Sequence, residues 1–159
     1  MMRRASSRLS DPPVALLVDR DRDTRDMYTE YLSFHGYAVD QAADGREGLA
    51  KALAHHPNVV VTATRLPFID GFRLVELLRR DRETRAIPVI VLTSDADCSE
   101  SDRATSVGAS VVLRKPCLPE ELLDAIRRCG SGSEHVTARA ATGQPKARRE
   151  GRKSVKRAV

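Results

Sequence analysis

PNVVVTATRLPFIDG, residues 57–71, opens on the β-branched run 59–62 and closes on a loop that holds Pro67 and Asp70-Gly71. A short, uninterrupted apolar run bounded by turn residues is the pattern of a strand buried on both faces, as in a parallel sheet covered by helices. Working outward, the same alternation of strand and helix recurs. Upstream, VALLV at 14–18 reads as a strand ending at Asp19, and the helix after it repeats apolar residues at Met27, Tyr28, Tyr31 and Leu32 before Gly36 closes it. A weaker strand, 37–41, precedes Asp44 as an N-cap, and the next helix is expected to bury Leu49, Ala52 and Leu53. Downstream, Leu74, Val75, Leu77 and Leu78 mark a helix, and Pro88 introduces a strand at 89–92. CSESDRATSV, 98–107, has so little apolar periodicity that a helix there must touch the core thinly. A fifth strand at 110–113 leads to Pro116, then to a helix with Pro119 in its first turn, Leu122, Leu123 and Ile126 inside, and Gly130 just past its end.

Five strand–helix cycles within residues 12–128 suit an open doubly wound α/β sheet. They are too few for an eight-stranded barrel of about 250 residues. In open sheets of this kind the working crevice lies beyond the carboxyl ends of the strands. That rule selects Asp19 and its neighbours, Ala63, Thr93 with Ser94, and Arg114 with Lys115.

The chain has 159 residues and a formal net charge of +5, with 27 Lys and Arg against 22 Asp and Glu. The excess is not spread evenly. Residues 12–128 carry 16 basic and 19 acidic side chains, whereas residues 129–159 carry eight basic and two acidic ones. The basic character therefore belongs to the ends and not to the globular part. Residues 1–11 and 130–159 are expected to be disordered segments flanking one domain at 12–129. The three cysteines, Cys98, Cys117 and Cys129, form no CxxC pair, which argues against a disulfide framework or a zinc site and for a reducing compartment. The longest early apolar run is the five residues of 14–18, followed at once by DRDRD. A signal peptide needs about seven or more apolar residues, so a soluble, cytoplasmic protein with no membrane association is expected.

VALLVDRDRDTR (14–25), PNVVVTATRLPFIDG (57–71), IPVIVLTSDAD (87–97) and GASVVLRKP (108–116) occur in this order at compatible spacings. Together they resemble the receiver domain of bacterial two-component response regulators, over about residues 13–128. The resemblance implies a flavodoxin-like, five-stranded parallel sheet of order 2-1-3-4-5 with helices on both faces. It also implies an aspartate at the end of the third strand that takes a phosphoryl group from a histidine kinase, with Mg²⁺ held by carboxylates.

Several of the groups that this chemistry needs are replaced here. The nucleophile's position is Ala63, a methyl group; the acidic pair after the first strand reads Asp19-Arg20; and the aromatic switch position in the fifth strand is Val112. Thr93 matches the hydroxyl residue that contacts the phosphoryl group, and Lys115, before Pro116, matches the lysine that pairs with it. Asp19, Arg20, Ala63, Thr93 and Lys115 are thus expected to form a vestigial pocket with no catalytic residue, no cofactor, and Mg²⁺ affinity lost or very weak. Two arrangements are open for the charges. Asp19 is the natural counter-ion of Lys115 across the crevice, and the Arg20 guanidinium is an alternative group to fill the cation's place. Thr64 is a poor substitute acceptor, His55-His56 read as surface residues, and Cys117 reads as packing.

The expected function is that of a degenerate, stand-alone receiver acting by phosphorylation-independent binding, as a monomer or weak dimer. The resemblance puts contacts with a histidine kinase, another receiver or an effector at about residues 98–128. A rival reading makes the C-terminal segment the working part. Lys146, Arg148, Arg149, Arg152, Lys153, Lys156 and Arg157 would attract nucleic acid nonspecifically, without base stacking for want of aromatic residues. A third reading makes the crevice a receptor for a small anionic ligand. An enzyme is the least supported of the classes, because no nucleophile–base pair, phosphate-cradling glycine loop or metal cluster stands out.

Overall fold

The structure, a computed structural model, describes residues 11–94 and 98–131. Five strands, β1 (Val14–Val18), β2 (Ala38–Ala42), β3 (Val59–Ala63), β4 (Val89–Thr93) and β5 (Val111–Arg114), alternate with five helices. The helices are α1 (Arg22–Phe34), α2 (Gly45–His55), α3 (Gly71–Arg80), α4 (Ser99–Val107) and α5 (Pro119–Ser131). All neighbouring strands are parallel and lie in the order β2-β1-β3-β4-β5, as the resemblance to receiver domains implies.

The two-residue period of the strands sorts their side chains into two cores. Leu17, Val61, Ile90 and Leu113 face Tyr28 and Leu32 of α1 and Leu122 and Ile126 of α5. Leu16, Val60, Val89, Val91 and Val112 face Ala52 of α2, Phe72, Leu74, Val75 and Leu78 of α3, and Ala104 of α4. Being covered on both faces, β3 and β4 are buried throughout their length, which is why they read as unbroken apolar runs. β2 lies at an edge, is half-buried over most of its length, and carries Asp40 and Gln41 in place of apolar residues.

Three loops at the carboxyl end of the sheet finish on an aspartate that caps the next helix. Asp21 accepts from the Thr24 N–H, Asp44 from Glu47 and Asp70 from Arg73. At α2 the Glu47 carboxylate reaches back to the Ala43 N–H at 2.9 Å, which holds its pKa below the usual carboxylate range.

Several details differ from the sequence expectation. β3 and β4 run one residue further, so Ala63 and Thr93 are the last residues of their strands. Met27 and Leu53, placed by periodicity among the core residues, are exposed, because Tyr28, Leu32 and Ala52 already fill the stripe facing the sheet. Gly130 lies inside α5 and not beyond it. α4 is a helix whose buried side chain is Ala104 alone, which agrees with the thin core contact expected of it. Among the described residues no helix is long and apolar enough to cross a membrane.

Candidate functional site

The sheet order reverses between β1 and β3, and the crevice beyond their carboxyl ends is where the expected residues meet. Asp19 follows β1 and is buried. Its Oδ2 receives the Lys115 ammonium at 2.9 Å, and its Oδ1 accepts the Asp21 N–H at 2.9 Å. The two side chains keep 8% and 27% of their exposure, so this is a largely desolvated, charge-assisted pair joining the ends of β1 and β5. Lys115 is placed by its own backbone, since its N–H donates to the Thr93 carbonyl at 2.7 Å. The loop after β1 is further held by Arg25, whose guanidinium donates to the Asp19 carbonyl at 2.7 Å and to the Gln41 side chain at 2.9 Å.

Of the two arrangements open to the sequence, Asp19 therefore takes Lys115 as its partner. Arg20 is exposed, and among the described residues it makes no ion pair with Asp19. Instead it lines an open cavity of about 620 Å³ together with Thr64, Arg65, Leu66, Pro67, Asp70, Phe72, Glu100 and Arg103. Arg103 is steadied there by stacking its guanidinium 4.1 Å from the centre of the Phe72 ring.

Ala63 closes β3 with its side chain buried, and the chain behind it is closely packed. The Gly71 N–H donates to the Thr64 carbonyl at 2.9 Å, and a Cβ on Gly71 would stand 2.1 Å from the Ala63 carbonyl oxygen. Val112 lies in the middle of β5 and is buried against the α3 side of the sheet.

One residue of the site was not singled out by the sequence. The Glu100 carboxylate, on the first turn of α4, accepts from the Thr93 hydroxyl and, at 3.2 Å, from the Thr64 hydroxyl, and stands 3.7 Å from the Arg65 guanidinium. No motif marks it, because CSESDRATSV (98–107) carries no apolar pattern from which the facing of its side chains could be read.

His55 and His56 lie at the end of α2, each beside a carboxylate at 3.5 and 3.4 Å, on Asp40 and Glu83 respectively, and remain largely exposed. The seven basic residues between 146 and 157 lie outside the described residues. Cys117 is buried, its carbonyl accepts the Tyr28 hydroxyl at 2.7 Å, and burial, with the Glu121 carboxylate nearby, pushes its thiol pKa up to about 11. Because the thiolate is the reactive form, Cys117 is expected to resist a thiol reagent at pH about 8 while exposed Cys98 is modified. Peptide mapping after timed alkylation checks this, and labelling of Cys117 should become appreciable only as the pH approaches its pKa or the chain unfolds.

Comparison with known proteins agrees with this fold. The chain is 36% identical over 115 residues to the DNA-binding dual master transcriptional regulator RpaA of Synechocystis, covering 72% of this chain and 48% of that protein. It is 37% identical over 116 residues to the response regulator MprA of Mycolicibacterium vanbaalenii, covering 73% and 49%. It thus spans about half the length of these curated relatives. Among solved structures, the chemotaxis response regulator CheY4 of Vibrio cholerae superposes with a TM-score of 0.70 at 33% identity, over 74% of this chain and 98% of that one. A CheY-like receiver domain protein of Methanospirillum hungatei gives a TM-score of 0.70 at 30% identity, over 75% and 94%. Residues 15–127 match the response regulator receiver domain model, and the chain belongs to that family.

Proposed function

We propose that this receiver domain signals by binding and does not pass through a phosphorylated state. The observation that carries this is the pairing at the crevice. The residue that ends β3 presents a methyl group, and the one carboxylate brought there by β1 is already neutralised by Lys115 at 2.9 Å. A phosphoryl-accepting site needs a carboxylate nucleophile and a divalent cation to spread the charge of the transferred group.

The same contacts leave a donor set that does not suit Mg²⁺. Mg²⁺ requires near-octahedral oxygen ligands, with at least one or two free carboxylates. Asp19 has one oxygen on an ammonium and the other on a backbone N–H, while Asp21 caps α1 by accepting from the Thr24 N–H and hydroxyl. Among the described residues no group of three His, Cys, Asp or Glu is placed to hold a metal ion. The residues present do not fit the ion, and the Lys115 ammonium takes over the neutralisation of Asp19.

On this reading the domain is an adaptor of two-component signalling in the cytoplasm. Its partner is a histidine kinase, another receiver or an effector, met on the surface formed by α4, β5 and α5. The test is phosphoryl transfer itself: incubation with Mg²⁺ and acetyl phosphate leaves the mass of the protein unchanged, and its affinity for such a partner does not depend on the phosphodonor.

A further inference from the structure

We infer that Thr64, Thr93 and Arg65 form a carboxylate-binding site, and that Glu100 of the chain's own α4 is its resident occupant. Thr64 and Thr93 retain only 3% and 1% exposure, so their hydroxyls need partners inside the protein. Both donate to the same oxygen, Oε1 of Glu100, while Oε2 faces the Arg65 guanidinium at 3.7 Å. Two hydroxyl donors on one oxygen and a single guanidinium beside the other match a monovalent carboxylate, which accepts only and carries one charge.

The contact ties three elements together: the end of β4, the residue after β3, and the first turn of α4. Elsewhere α4 rests on buried Ala104, on Val107 packed partly against the core and on Arg103 over the Phe72 ring, and its N-cap, Cys98, makes no side-chain capping bond. Glu100 keeps 18% of its exposure and lines the open cavity of about 620 Å³ with Thr64 and Arg65, while Arg20 and Arg103 add two positive charges and Asp70 one negative charge to the same walls. A small carboxylate from solvent therefore has a route to these donors once the Glu100 side chain is removed.

The inference goes beyond phosphorylation-independent binding and has a different readout, so either can fail alone. The experiment is native-state amide exchange across α4 in the full chain. Loss of a hydrogen-bonded, charged anchor in Glu100→Ala should speed exchange of the α4 amides by roughly tenfold or more, with β1 and β3 unaffected. Sodium acetate, compared with sodium chloride at equal ionic strength, should restore most of that protection in Glu100→Ala. It should do so much less in Glu100→Ala with Thr93→Val, and should leave the parent protein unchanged. Glu100→Gln, which keeps the shape without the charge, should lose less protection than Glu100→Ala. Unchanged α4 exchange in both single variants would overturn the inference. So would acetate acting no better than chloride, or acting equally in the double variant.

Discussion

Lys115→Met should cost about 3 kcal/mol of stability at neutral pH, because it leaves the Asp19 carboxylate buried and opposite an apolar side chain. Asp19 would keep the Asp21 N–H at 2.9 Å but lose its counter-charge. Urea melts of the variant and the parent protein at neutral pH measure this. Asp19→Asn in the Lys115→Met background should recover most of the loss, since it removes the charge that was left unpaired. A deficit unaffected by Asp19→Asn would mean that the pair holds the crevice by packing and not by charge.

Gly71→Ala is the second large effect. The added methyl would lie 2.1 Å from the Ala63 carbonyl oxygen and 2.9 Å from the Thr64 Cα, both of them backbone atoms that no rotamer change can move aside. The start of α3 would have to lift away from the end of β3, losing the Gly71 N–H bond to Thr64 at 2.9 Å. Overpacking of this kind costs about 3 kcal/mol, which for a domain of this size lowers the Tm by roughly 10 °C. Thermal unfolding checks it. Gly36→Ala is a useful contrast, since nothing stands within 4 Å of a Cβ there and only its φ of +95° opposes the change. That strain should cost about 1 kcal/mol.

The sheet was legible because burial on both faces leaves a plain mark: 59–62 and 89–92 are apolar without alternation, and only the centre of a covered parallel sheet asks for that. Strand ends then located Asp19, Thr93 and Lys115, and charge complementarity alone suggested that Asp19 would meet Lys115. The helices were less sharply defined. Met27 and Leu53 fit a helical period, yet period does not say which of two adjacent apolar residues points at the sheet; Tyr28 and Ala52 do. Gly130 resembles a helix stop, but its exposed position in the last turn of α5 lets the helix run through it. Glu100 was hidden for a different reason. Its partners are two hydroxyls and an arginine on other elements, 7 and 36 residues away for Thr93 and Thr64, and such contacts leave no periodicity to read.

The lysine on Asp19, the methyl at Ala63 and the carboxylate on Thr93 describe a crevice in which Asp19 and Thr93 already have partners within the chain. On the proposed reading, no phosphoryl group is needed to fix the ends of β4 and β5. The most direct measurement is the intact mass of the purified protein after incubation with Mg²⁺ and acetyl phosphate, beside a receiver that has an aspartate at the end of its third strand. The account predicts an unchanged mass while the control gains a phosphoryl group. A phosphorylated species of this protein, mapped to any residue of the crevice, would contradict it.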